Sequence, residues 1–289
     1  MRPGDAGTRL VLLGTAGGPS IKAIRAQPAN ALIVNGAVYI IDAGNGVCRQ
    51  MALANISSQA LRAVFITHNH SDHVADYGTL LLRAWTSGLK TPVDAFGPPP
   101  LEDMTQSYLQ YMDWDIQLRI VDENRIPFAD LIRPHNVVGG GNIYKDENVT
   151  VTATEVTHGA AKPAFAFRFD TPHRSIVFSG DTSRSDNLIK LAKGADILVH
   201  EALNSDGVDA LVDGFDPGNE ALRRHIIEAH TPVEEVGEVA SEAGVGRLVL
   251  THFVPAGIPE IDRPELWAQK ASKTYQGEVI VGEDLLEIT

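Results

Sequence analysis

The sequence predicts an α/β fold of sheets covered by helices. Three observations predict it. Apolar residues make up 44% of the 289 residues and charged residues 21%, an ordinary globular composition. Strand-length apolar runs dominate the first part, and a β-α-β-α-β alternation follows, which is the order of sheets covered by helices. No stretch has the composition of an inter-domain linker, so residues 1–289 are expected to form one domain.

The elements follow in order. Arg9 to Leu13 is a strand that stops at Gly14-Thr15-Ala16-Gly17-Gly18-Pro19. That turn lacks the Lys-Ser/Thr pair of a phosphate loop and reads as a tight turn. Asn30–Val34 and Ala37–Ile41 flank Asn35-Gly36, a type I′ hairpin signal, and the second strand runs into Asp42. A short helix carries Val47, Met51, Ala52 and Leu53, and Ala63–Ile66 is a buried strand. Residues 74–90 are helical in pattern, with Leu80, Leu81, Leu82 and Trp85 as core or subunit contact. The stretch 98–148 is the least regular. It predicts a helix from Leu101 to Met112, a turn at Gly139–Asn142, loops and pocket walls. Strands resume at 149–156, Ala164–Phe169 and Ser175–Phe178. Ser185 caps a helix that stops at Gly194. Thr231-Pro232-Val233-Glu234 reads as a capping box with Pro at the first helical position. Buried strands Asp196–Val199 and Arg247–Leu250 follow these two helices.

Charge and cysteine content narrow the function. There are 24 Lys and Arg against 37 Asp and Glu, a formal charge of −13. That argues against broad binding to nucleic acid or anionic membranes. No window approaches 18 apolar residues in a row, so no membrane span is expected. Met1 to Gly7 leads into Leu10–Leu13, too short for a signal segment, and a cytoplasmic protein is expected. Cys48 is the only cysteine, which excludes an internal disulfide and a Cys-rich zinc finger. It reads as packing.

Four apolar strands end in good metal ligands. Ala63–Thr67 runs into His68-Asn69-His70-Ser71-Asp72-His73, Ser175–Gly180 into Asp181, Asp196–Val199 into His200-Glu201, and Arg247–Thr251 into His252. Ligands gather outside the carboxyl ends of strands in α/β sheets. Imidazole and carboxylate suit Zn²⁺, Mn²⁺ or Fe. Six consecutive residues cannot all hold one tetrahedral ion with an open position. Two ions, completed by His158, Asp181 and His252, is the natural solution, and Asp181 is placed to bridge them.

The residues His68-x-His70-x-Asp72-His73, His158, Asp181 and His252 resemble, in order and context, the five metal motifs of the metallo-β-lactamase superfamily. Ser179-Gly180-Asp181-Thr182, His200-Glu201-Ala202, Ala229-His230-Thr231 and Leu248–Phe253 resemble the ribonuclease Z group and its phosphodiesterase and arylsulfatase-like relatives. The resemblance implies a four-layer αβ/βα sandwich with a two-metal site at one edge. It implies that His68, His70 and His158 hold one ion, that Asp72, His73 and His252 hold the other, and that Asp181 bridges. Zinc is the default, with Mn or Fe possible on the same ligands. It also implies that His230 is a general acid or oxyanion contact, oriented by Glu201, with Asp72 counted among the catalytic residues.

The implied activity is a metal-dependent hydrolase in which water between two cations loses its proton near neutral pH. A small phosphodiester is the first substrate class. Arylsulfate, lactone, carboxyl-ester and β-lactam hydrolysis are the alternatives. An iron oxidoreductase is disfavoured because His70 stands where diiron relatives carry Glu. The acidic balance and the acid-rich segment Leu203–His225 predict a small-molecule substrate, no nucleic-acid partner and poor tRNA processing. The apolar residues of 79–114, among them Leu89, Phe96, Tyr108, Tyr111 and Trp114, are expected to accept an aromatic or acyl group. Residues 76–90 are expected to join a homodimer. Asp42 is expected to fix a ligand histidine. His135 is a candidate for the pocket lining, His200 is either structural or an outer support, and His173 and His225 are expected at the surface.

Overall fold

The computed structural model of the chain describes residues 7–289, so the reading of residues 1–6 as free of a leader lies outside the described residues. The strands are β1 Thr8–Gly14, β2 Ala29–Val34, β3 Ala37–Ile41, β4 Leu61–Phe65, β5 Val93–Gly97, β6 Ile132–Asn136 and β7 Gly141–Lys145. They continue with β8 Thr150–His158, β9 Ala161–Asp170, β10 Ser175–Phe178, β11 Ile197–Leu203, β12 Arg247–Val254, β13 Glu278–Val281 and β14 Glu287–Ile288. Among the described residues they form two seven-stranded sheets, ordered β14-β1-β2-β3-β4-β5-β6 and β13-β12-β11-β10-β9-β8-β7. Each sheet is antiparallel in one part and parallel in the other: β3 to β6 are mutually parallel, as are β10 to β13.

The layers follow from the period-2 pattern of the strands. On β1, Leu10 and Leu12 face the opposite sheet, while Val11 and Leu13 face helices. On β9, Phe165, Phe167 and Phe169 face the other sheet, and Ala164 and Ala166 face helices. The helices Val47–Leu53, Tyr77–Thr86 and Leu101–Tyr111 cover one outer face. Asp186–Ala192, Val233–Ala243 and Pro264–Ala271 cover the other. This is the expected four-layer sandwich. Phe65, the last residue of β4, meets Phe96, Phe167, Phe169 and Tyr144 at ring-centroid distances of 5.0–5.8 Å. That aromatic knot fixes the strand end from which the first histidines emerge. Among the described residues no helix is long and apolar enough to cross a membrane.

Several local expectations hold. Asn35 and Gly36 take φ of 50° and 86°, as a type I′ turn requires. The Ser185 side chain accepts from Leu188 N–H and caps its helix. Others change. The helix Val233–Ala243 has Pro232 as its cap with no side-chain cap bond, because Thr231 Oγ1 donates to Thr182 O instead. The stretch 98–148 is not mainly loop: it supplies helices Leu101–Tyr111 and Asp113–Asp122 and an edge strand to each sheet. Its edge strands, Ile132–Asn136 and Gly141–Lys145, are half polar, so their apolar signal is weak. Within residues 76–90, Tyr77, Leu80, Leu81, Leu82 and Trp85 are buried in the chain's own core.

Candidate metal centre

The site lies where the parallel strands of both sheets end. Beyond β4, Thr67 donates its N–H (2.8 Å) and hydroxyl (3.0 Å) to the Asp42 carboxylate. The other Asp42 oxygen lies 2.8 Å from His73 Nδ1. The ring is thereby oriented with Nε2 toward the site, as expected of Asp42. The short helix Ser71–Val74 presents Asp72 and His73. His158, at the end of β8, has Nδ1 2.8 Å from the Ala229 carbonyl, which frees Nε2. His252, on β12, takes φ of 46°, a backbone strain retained at the site.

Among the described residues four overlapping candidate ligand groups form, His158-Asp181-His230 and Glu201-His230-His252 among them, and the other two share no residue. His68, His70 and His158 bring ligand atoms within 4.8 Å of one another, as do Asp72, His73, Asp181 and His252. His70 Nδ1 is 3.0 Å from His68 Nε2 and 3.1 Å from His158 Nε2. Asp181 Oδ2 sits between the groups, 3.8, 3.7, 3.3 and 3.1 Å from the Nε2 atoms of His68, His158, His73 and His252. Tetrahedral ligands about 2.0–2.1 Å from a zinc ion stand about 3.3 Å apart, so these spacings fit a metal. The second Asp181 oxygen is buried without a hydrogen-bond partner. Glycine at 180 is needed to bring Asp181 here: its φ is 58°, and a Cβ would meet the Phe165 carbonyl at 2.6 Å.

The electrostatics match the donor set. Burial, reinforced by the neighbouring imidazoles, holds His68 well below the usual histidine range. Burial lowers His158 to about 4 and also lowers His70. Their nitrogens therefore carry free lone pairs at pH 7. Burial opposes ionisation of Asp72, but His73 and His252 hold its carboxyl below the usual range. Burial likewise opposes the charge on His73, yet Asp181, Asp42 and Asp72 push it well above its ordinary value. Neutral imidazoles and ionised carboxylates are the donor set of a divalent-metal site.

His230 and Glu201 sit beside this cluster. His230 Nδ1 is 3.0 Å from Glu201 Oε1, which also accepts from Thr182 N–H at 3.0 Å. The His230 ring stands 5.1 Å from that of His158 and 5.6 Å from that of His252. Burial opposes its charge, but Glu201 raises its pKa to about 9. His200 is buried away from the cavity, with Nδ1 2.7 Å from the Glu201 carbonyl. His135 bonds Asp94 and stacks on Phe96.

A cavity of about 510 Å³ opens over the cluster. None of residues 98–148 lines it, so His135 and the expected pocket walls are elsewhere. Nor does the apolar set of 79–114: Tyr111 and Trp114 are exposed on the outer surface, and Leu89 and Phe96 are buried. The walls are Gly17 to Lys22 on one side and the Leu211–Ile226 stretch on another. The turn after β1 thus adjoins the site. Three lining residues escaped sequence reasoning. Lys22 donates to the Gly17 carbonyl at 2.8 Å and lies at the rim. His225 is exposed, as expected, yet faces the cavity 6.4 Å from the His70 ring. Phe215 lies in the acid-rich segment and also faces the cavity. A lone Lys after a glycine turn is the only hint the sequence carries for the first.

Residues 38–253 match the family described as a β-lactamase superfamily domain. Ribonuclease Z of Mycobacterium sp. strain KMS is 33% identical over 278 residues, covering 96% of this chain and 94% of that protein. The human short-form tRNase Z structure superposes with a TM-score of 0.71 at 21% identity, covering 97% of this chain and 98% of that one. The metallo-β-lactamase fold protein YhfI of Bacillus subtilis gives 0.68 at 20% identity, covering 97% and 98%. These matches correct the expectation that nucleic acid is no partner, because relatives of this similarity are named as ribonucleases. The net charge misled because it averages over the whole surface. Asp209 is paired with Arg223 at 2.7 Å and Asp206 with Lys270 at 2.8 Å, and no acid of the 203–225 segment lines the cavity. By its matched length, its ribonuclease Z relatives and its fold, the chain belongs to the β-lactamase superfamily, within the ribonuclease Z family, and is a metal-dependent hydrolase.

Proposed function

We propose that the chain, as one catalytic unit, is a two-metal phosphodiesterase whose substrates include RNA. The observation that carries this reading is Asp181 Oδ2, placed 3.1–3.8 Å from four histidine nitrogens of two separate ligand groups. In this reading His68, His70 and His158 hold one ion, Asp72, His73 and His252 the other, and Asp181 both. The nitrogen-rich set favours zinc. Bound there, the ions supply Lewis acidity toward the phosphoryl oxygens and an activated water. The chain's own residues do the rest. Asp72 lines the cavity with an ionised carboxylate and orients the attacking water. His230 has Nδ1 on Glu201, so Nε2 is the nitrogen that donates a proton to the leaving oxygen. Glu201 is a positioning residue that keeps His230 protonated.

Support for RNA is the 33% identity to a ribonuclease Z over nearly the full chain, together with an entrance whose cavity face bears no acid from the 203–225 segment. Metal-loaded protein incubated with a 3′-extended tRNA precursor at physiological salt tests it. Specific 3′ cleavage is expected. Hydrolysis of bis-p-nitrophenyl phosphate without RNA cleavage would remove RNA and leave the diester. Activity on neither would remove both.

A further inference from the structure

The cavity has two unlike halves. His70, Asp72, His158, Asp181 and His230 form one. Leu211, Phe215, Leu222, Ile226 and Val254 form the other. Four of these five come from two helices, Val208–Phe215 and Glu220–Ala229. In each helix the cavity residues are four apart, so they share a face. The helices are anchored separately: Val208, Val212 and Ile226 are buried with Leu203 and Val254 in a cluster of their own. Phe215 belongs to no buried cluster. It is 57% exposed and lines the cavity at its mouth. An apolar ring kept at the mouth of a polar site, on a wall that does not need it for packing, points to a ligand group that covers it.

We infer that this wall is a base-sized subsite: the substrate carries a planar, apolar-faced group, a nucleobase, next to the phosphorus that is attacked, and Phe215 selects it. The inference rests on the diester reading above. It adds the chemistry of the neighbouring group and the residue that recognises it. A cavity of about 510 Å³ suits one drug-sized unit. Planar bases stack on aromatic rings whatever their identity, so the subsite distinguishes a base from no base rather than one base from another. His225, beside Ile226 on the same wall, adds a second planar face.

The test is binding to the metal-loaded protein by calorimetry, with adenosine 5′-monophosphate, ribose 5-phosphate, butyl phosphate and inorganic phosphate as probes. Wild type is expected to hold the adenosine compound about tenfold more tightly than ribose 5-phosphate. Phe215→Ala is expected to erase that difference and leave ribose 5-phosphate and phosphate unchanged, with Phe215→Trp restoring it. Equal binding of the two ribose compounds by wild type would overturn the inference. So would an equal loss for both in Phe215→Ala, or a gain for butyl phosphate as large as for the base. Because no bond is broken, the result is independent of turnover. A base preference in a protein that cleaves no diester would keep the subsite and discard the reaction.

Discussion

Replacing Glu201 by Gln separates proton donation from metal binding. Glu201 Oε1 lies 3.0 Å from His230 Nδ1, and a Glu201 oxygen lies within 4.8 Å of a His252 ring nitrogen, so metal content is measured alongside activity. With Glu201 charged, His230 titrates at about 9 against the pull of burial. The sign follows: a raised histidine stays protonated through neutral pH, and the stability it adds is complete below about 6.5 and lost as pH rises through about 9. Gln keeps an acceptor and removes the charge. Burial then prevails, and His230 falls to about 6.5 or below. At pH 8 the protonated fraction drops from about 0.9 to about 0.03, a loss of roughly 30-fold in any step that needs that proton. The variant's alkaline limb is expected on the acid side of the wild type's. The assay compares kcat against pH on two diesters. An RNA linkage expels a basic alkoxide that needs the proton, whereas p-nitrophenolate leaves without it. A roughly 30-fold loss on RNA with a change of under about threefold on the nitrophenyl diester is expected, at equal metal content. Equal losses on both, or an unshifted limb, would refute His230 as proton donor.

Other outcomes follow from the same geometry. Asp42→Ala removes the carboxylate 2.8 Å from His73 Nδ1 and is expected to weaken metal affinity by about 10–100-fold, read by competition with a chromophoric chelator. Chelation is expected to lower the melting temperature: ions at 100 times their Kd add about 2.7 kcal/mol, or roughly 5–10 °C in a chain of this size, and an unchanged melting curve would contradict the site. Phe65→Ala empties the centre of the aromatic knot and is expected to cost about 3–5 kcal/mol by urea unfolding.

The His and Asp cluster was legible because its residues are chemically unusual and local: three histidines and an aspartate within six residues, straight after a buried strand, form a concentration of candidate ligands that packing alone does not need. Asp181, His158 and His252 were legible through the apolar strands that end at them. Asp42 was legible as a carboxylate at a strand end, and its contact with His73 has the expected form. The far wall of the cavity was not legible. Leu211, Phe215, Leu222 and Ile226 lie among acids, and their shared direction appears only when two helices pack together. The acids suggested an electronegative entrance, but Asp206 and Asp209 turn outward to Lys270 and Arg223. Thr231 read as a cap because the local pattern fits one. A distant carbonyl, that of Thr182, took its hydroxyl instead. The edge strands β6 and β7 were missed for the same kind of reason: tertiary pairing, not propensity, makes them strands.

The most direct test of the two-metal claim is a titration of metal-free protein with Zn²⁺, following bound metal by mass spectrometry and hydrolysis of bis-p-nitrophenyl phosphate together, in wild type and in Asp181→Ala. Activity is expected to reach its plateau at two equivalents in the wild type, while the variant binds fewer ions and stays at background. A plateau at one equivalent, or an Asp181→Ala protein that keeps both ions and its rate, would contradict the claim.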